Sequence, residues 1–312
     1  MRRLLHRPVA LLPIVALAIL LPACDGGDDD SSSDGKVKVV TSLPLFADFV
    51  REVAGDRVEV TSLVPAGADP HTWEPSPSDV RRVAEADIAF ANGLDLEPAA
   101  IRVLEANLPG GVSLIRLAEE AEAAGAELFH YPEGAVHDPH IFMNIQNGKA
   151  YAEVVRIRLT ELDPAGEADY ARNARSYFAR IDETERYAFE RLDSIPPENK
   201  KLISTHNAFG YFGGYFAIEL TAALEDSPGQ EPTPEDVARI TRMIEDRNVL
   251  AVFTEPQISE ESEMLRQAAE DAGARVCTLY SDSLDDRVTS YIELMRFNAN
   301  ELFRCLGGED GS

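Results

Sequence analysis

Glu167-Ala168-Asp169-Tyr170-Ala171-Arg172-Asn173-Ala174-Arg175-Ser176-Tyr177-Phe178-Ala179-Arg180-Ile181-Asp182-Glu183-Thr184-Glu185-Arg186-Tyr187-Ala188-Phe189-Glu190-Arg191-Leu192-Asp193-Ser194-Ile195 contains no glycine or proline, and Pro196-Pro197 ends it. Tyr170, Ala174, Tyr177, Ile181, Thr184, Ala188 and Leu192 recur at spacings of four and three, which lays a sustained apolar stripe along one long helix. The two prolines stop it because they bring no N–H and clash with the preceding turn. At 1.5 Å per residue the segment spans roughly 40 Å. A surface helix packed on one lobe is one reading; a strut spanning two lobes is the other.

The flanking sequence favours two lobes. Val37 to Thr41 reads as strand, Leu45 to Val53 as helix, Val58 to Val64 as strand, and Asp87 to Ala91 as strand. Ser76-Pro77-Ser78-Asp79 opens a helix with a capping hydroxyl, proline at the first position and an acid at the third. The same grammar returns beyond the long helix. Lys201 to Ser204, Val249 to Thr254 and Arg275 to Leu279 read as strands, and Thr233-Pro234-Glu235-Asp236 opens a helix. Glu260 to Ala272 and about Arg287 to Phe303 read as helices. Such alternation marks parallel sheets flanked by helices. The expected class is α/β, with two lobes, each a parallel sheet flanked by helices, joined by one long rigid linker helix. The N-terminal lobe is placed at 37–163, the linker at 164–195 and the C-terminal lobe at 196–312.

Residues 1–23 read as an export signal, with Arg2, Arg3 and Arg7 followed by an apolar stretch from Val9 to Leu20 that is too short to span a membrane. Leu21-Pro22-Ala23-Cys24 resembles a bacterial lipobox, which predicts cleavage before Cys24 and a lipid on its sulfur. An ordinary signal with an incidental Cys24 is the rival. Residues 24–36, mostly Asp, Gly and Ser, read as a lipid-anchored flexible tether. The chain carries a formal net charge of −26, and losing the three signal arginines deepens it to −29. That surface argues against nucleic acid or anionic lipid as a partner. With Cys24 lipidated, Cys277 and Cys305 are an even pair in an oxidising compartment, so a disulfide is the default, with thiolate metal ligation as the alternative.

Six histidines are present, and His6 lies in the signal. Asp69-Pro70-His71 and Asp138-Pro139-His140 repeat one tripeptide, and Ser204-Thr205-His206-Asn207 follows an apolar run. Leu279-Tyr280-Ser281-Asp282-Ser283 supplies a carboxylate. Neutral imidazoles plus one carboxylate suit zinc, and four such ligands close a tetrahedron. His71, His206 and Asp282 each follow a strand, where open α/β sheets bind ligands. Asp138 suits a helix N-cap and places His140 in the first turn, where a neutral, metal-bound ring is better tolerated than a charged one. Taken singly, each histidine has an ordinary solvated or packed reading.

Taken together, Gly67-Ala68-Asp69-Pro70-His71-Thr72-Trp73-Glu74-Pro75, Asp138-Pro139-His140, Thr205-His206-Asn207-Ala208-Phe209-Gly210-Tyr211-Phe212, Phe253-Thr254-Glu255-Pro256-Gln257 and Tyr280-Ser281-Asp282-Ser283 resemble the zinc/manganese substrate-binding lipoproteins of bacterial ABC importers. The resemblance, from about Val37 to Leu306, implies two lobes on one rigid helix with the metal buried between them. It implies His71, His140, His206 and Asp282 as ligands. Manganese-type members tend to carry a carboxylate where His206 stands. The family usually continues the second motif with Val-Trp-Leu-Asp-Pro; here Ile141-Phe142-Met143-Asn144-Ile145 replaces it. The His-rich loop of many zinc-type members is short here, holding His130 with His137 just beyond; both read as solvent-facing.

The expected function is extracytoplasmic capture of Zn2+ by a monomer anchored to the membrane through Cys24, and delivery to an ABC permease. Mn2+ is the alternative cargo. A zinc-dependent hydrolase would keep an open metal position beside a general base. Here four ligands are at hand and no His-Glu-x-x-His motif is present. A surface adhesin, a label some relatives carry, would need an exposed apolar patch that one Trp in an acidic chain hardly provides.

Overall fold

The computed structural model describes residues 35–129, 138–226, 229 and 232–307. The expected export signal, Cys24, all but the last two tether residues, His130 and His137 lie outside the described residues. Lys36 onward forms one compact unit. Among the described residues no helix is long and apolar enough to cross a membrane.

The first sheet comprises β1 (Val37–Thr41), β2 (Val58–Ser62), β3 (Ile88–Ala91) and β4 (Leu114–Arg116), all parallel, in the order β2-β1-β3-β4. Its helices are α1 (Pro44–Ala54), α2 (Pro77–Val83), α3 (Pro98–Asn107) and α4 (Leu117–Ala121). Then come α5 (Ile145–Leu162) and the long α6 (Glu167–Asp193). The second sheet holds β5 (Lys201–His206), β6 (Glu219–Glu225), β7 (Ala251–Thr254) and β8 (Arg275–Thr278), again parallel, in the order β6-β5-β7-β8. Around it lie α7 (Gly210–Phe216), α8 (Pro234–Arg247), α9 (Ser259–Asp271) and α10 (Tyr291–Cys305). Strand order therefore reverses at the first strand of each sheet. Crevices at the carboxyl ends of strands beside such reversals are where ligands bind.

The sequence signals act as read. Ser76 N donates to Asp79 Oδ2 at 2.7 Å. Thr233 N donates to Asp236 Oδ2 at 3.0 Å while Asp236 N donates back to Thr233 Oγ1 at 3.2 Å, which completes a reciprocal cap. The seven stripe residues of α6 are the ones it buries. Tyr177 packs edge-on against Phe49 of α1 with ring centroids 6.2 Å apart, and Asn173 Nδ2 donates to Val53 O. Nearer its other end, Tyr187 donates to Asn300 Oδ1 of α10 at 2.7 Å. The helix thus holds elements from both halves of the chain.

One contiguous core runs from the first sheet through α1, α5, α6 and α10 to Phe253 and Leu279. A second, smaller core (Ile203, Leu224, Ile240, Ile244, Val252, Leu265) lies under α8 and α9.

Some elements differ from expectation. Strands β4 and β6 were not expected: β4 is only three residues long, and most of β6 is half-buried or exposed. The helix expected to open at Asp138 begins instead at Ile145, as α5, and Gly148 interrupts its apolar pattern. A Cβ there would collide with the Tyr291 ring, so the glycine marks a close helix crossing. Helix α10 begins at Tyr291 rather than Arg287, because Asp285 Oδ1 accepts from the N–H groups of Arg287 and Val288 and forms a turn first. Ser290 then caps the helix, accepting from Glu293 N.

Candidate metal centre

Each of the four histidine and aspartate candidates arrives on a locally pinned segment. The His71 loop leaves β2, and Asp69 Oδ1 accepts from His71 N at 3.1 Å while its Oδ2 accepts from Thr72 Oγ1 at 2.6 Å. Gly67 N donates to Leu284 O at 2.8 Å and to Ser283 Oγ at 3.1 Å, stitching this loop to the Asp282 loop. Asp138 is not a helix N-cap. Its Oδ1 accepts from His140 N at 2.9 Å and pairs with His140 Nδ1 at 2.7 Å, so the carboxylate orients the ring instead. Asn144 caps α5, accepting from Gln146 N, which accounts for the residue standing where the resembling family usually has an acid. Asn92 Nδ2 donates to Pro139 O at 2.9 Å, tying the same loop to the end of β3.

β5 runs on past Ser204, so that His206 is its last residue rather than lying just after it. Glu255, just past β7, accepts from its backbone N–H and from Nδ1. Asp282 lies beyond β8, where Asn298 of α10 bridges both backbone groups of Tyr280.

These segments bring four side chains together. His71 Nε2 lies 3.4 Å from Asp282 Oδ2, His206 Nε2 3.2 Å from Asp282 Oδ2, and His140 Nε2 3.3 Å from Asp282 Oδ1. His140 Nε2 and His206 Nε2 are 3.4 Å apart. A tetrahedral ion bound at about 2.0–2.1 Å needs its donors about 3.3–3.4 Å apart. These four separations match that tetrahedral edge, with Asp282 offering one oxygen to His71 and His206 and the other to His140. The donors are shielded: the side chains of His206 and Asp282 are 0% exposed, His140 3% and His71 10%. His71 Nε2 and Asp282 Oδ1 are buried yet make no hydrogen bond, which is costly unless another electrophile satisfies them.

The electrostatics follow from this crowding. Burial opposes charge on Asp282, but the three surrounding rings hold its carboxyl well below the usual range. Burial likewise lowers His140, yet the Asp282 and Asp138 carboxylates outweigh it and raise the ring to about 9. His206 is raised well above its ordinary value, with Glu255 and Asp282 overcoming burial. At neutral pH the cluster therefore stores protons that a cation bound there would have to displace.

Sequence reasoning quoted the segment containing Glu255 without giving it a role. Its position just past a strand, like those of His71 and Asp282, was the available signal. Glu225 was missed altogether; burial, with Glu261, Glu255 and Asp69 adding to it against His206, pushes its carboxyl up to about 8. Cys277 and Cys305 are joined as a disulfide with Cα atoms 6.6 Å apart, so their sulfurs are not free to ligate.

The chain matches the family described as zinc-uptake complex component A, periplasmic, over residues 39–305. It is 29% identical over 292 residues to the manganese-binding lipoprotein MntA of Halalkalibacterium halodurans, covering 92% of this chain and 94% of that one. The structure is similar to the periplasmic zinc-binding protein TroA from Treponema pallidum, with TM-score 0.79 and 26% identity over 87% of this chain and 99% of that one. It is similar also to Fe(III)-bound YtgA from Chlamydia trachomatis, with TM-score 0.78 and 26% identity over 89% and 100% of the two chains. With the match running from within β1 to the end of α10, the chain belongs to the zinc-uptake complex component A family.

Proposed function

We propose that this protein is the substrate-binding component of an ABC importer and that its cargo is a divalent cation, zinc, held by His71, His140, His206 and Asp282. The observation that carries this reading is the set of four shielded donors at tetrahedral spacing, two from each half of the chain. Three nitrogens and one carboxylate suit zinc; oxygen-rich sites suit manganese. The bound site would keep a net charge of +1, since one carboxylate meets a dication. Export, a lipid on Cys24 and delivery to a membrane permease complete the reading.

Manganese is the second reading, supported by the name of the MntA relative. Four protein donors fill a tetrahedral ion and leave no position for a reacting water, which weighs against hydrolysis.

Elemental analysis of protein purified without chelator should find one zinc per chain. His71→Ala and His140→Ala should each weaken zinc on the order of 100-fold or more, because metal affinity depends on the whole deprotonated ligand set. Unchanged affinity in both variants would overturn the site. Manganese bound as tightly as zinc in direct competition would overturn the cargo.

A further inference from the structure

Parallel pairing of β5 with β6 sets Glu225 opposite His206. Opposed residues of neighbouring strands point to the same face, with backbones about 4.8 Å apart. Glu225 is 6% exposed, and neither of its carboxylate oxygens has a hydrogen-bond partner. A buried carboxylate without a donor is unfavourable unless a proton or a cation satisfies it. The charged groups that act on it most are Glu261, His206, Glu255 and Asp69. All but His206 are acidic, so the missing partner is positive. Glu225 is not one of the four grouped donors of the centre, so beside His206 it lies outside the final coordination sphere.

The way in is marked by exposure. His71 is the only one of the four donors with appreciable contact to solvent, and Asp69, which acts on Glu225, pins the same loop. Asp69 on the His71 loop and Glu225 opposite His206 are close enough to act on each other, which links the exposed edge of the centre to Glu225. We propose that Glu225 is a staging carboxylate, which takes the incoming divalent cation at the His71 edge and passes it to His206. The proposal rests on the metal-capture reading above. A staging group lowers the barrier in both directions, so it changes rates more than it changes the equilibrium.

The experiment is stopped-flow transfer of zinc from a metallochromic dye to the metal-free full chain, in wild type, Glu225→Gln and Glu225→Met. Expected is a fall in the association rate on the order of tenfold in both variants, the scale of local electrostatic focusing, with release slowed alongside it. Glu225→Met relieves a bare buried carboxylate and should fold at least as well as wild type, so a misfolded Glu225→Gln leaves the test intact. Unchanged association rates overturn the proposal. So does weaker binding that arises from faster release alone, which would make Glu225 a support for the final site. His71→Ala, run in parallel, reports on the capture reading separately: retained binding there sinks that reading whatever Glu225 does.

Discussion

Glu255 Oε1 accepts two hydrogen bonds from His206, one from its backbone N–H at 3.1 Å and one from ring Nδ1 at 3.0 Å. A proton held on Nδ1 leaves the Nε2 lone pair facing Asp282, where a cation would sit. Such outer partners set the tautomer and raise ligand basicity. Glu255→Gln keeps an acceptor but loses the charge, and should weaken zinc about tenfold. Glu255→Leu removes both and should approach about 100-fold, the range typical of such partners. Dye-competition titration measures both, and equal affinity across all three proteins would contradict the orienting role.

Proton storage makes stability depend on pH. Burial raises Asp48 from 3.8 to about 6, Glu97 from 4.5 to about 7 and Glu225 from 4.5 to about 8. His140 is raised from 6.5 to about 9. A group whose folded value is raised gives stability that is complete below its unfolded value and lost as pH rises through the folded one. The metal-free protein should therefore lose Tm progressively between about pH 4 and 9. Zinc requires neutral rings, so its affinity should climb over the upper part of the same interval, from pH 6.5 towards about 9. Thermal scans with and without chelator should show the zinc-induced increment in Tm widening with pH. An increment that shrinks would refute the assignment of stored protons to the centre.

Cargo preference should turn on His206. Replacement by glutamate gives manganese a second oxygen donor, yet Glu255 then faces a carboxylate instead of a ring N–H. Like charges so placed resist joint ionisation. His206→Glu should narrow the zinc-over-manganese preference mainly by weakening zinc, and His206→Glu with Glu255→Gln should narrow it further. Direct competition between the two ions reads the outcome. An unmoved preference in both variants would remove His206 as its determinant.

The disulfide closes a loop with a sequence separation of 28 and ties α10 to β8. Chain entropy assigns such a loop about 3–4 kcal/mol of stability. Denatured, unreduced mature protein should show no free thiol, and Cys277→Ser/Cys305→Ser should lower Tm while keeping one zinc per chain. Two reactive thiols in the unreduced protein would contradict it.

The strut and most central strands were legible because long stripes and buried runs leave strong periodic patterns: all seven stripe residues of α6 are buried. Strands β4 and β6 were not, since three residues carry no periodicity and a mostly half-buried strand leaves no apolar run. The same asymmetry governs the centre. His71, His140, His206 and Asp282 belong to recognisable motifs, and the structure gathers them. Asp138 resembled a cap because its local sequence fits one, whereas the ring it orients is visible only in three dimensions. Glu225 carries no motif; its significance comes from register with His206 and from donors it does not have.

The contiguous core through α6 bears on how cargo can leave. Phe49, Tyr177, Tyr291 and Leu279 belong to one apolar interior, so swinging one lobe away like a clamshell would expose surface from both. At roughly 25 cal/mol for each Å² of apolar area uncovered, even a modest parting of that interior is expensive. The His71 loop is the least buried side of the centre, and two hydrogen bonds from Gly67 stitch it to the Asp282 loop, whose Leu279, Tyr280 and Leu284 belong to the core. The molecule is thus built as a vice with a fixed frame, and its least buried jaw is the His71 loop.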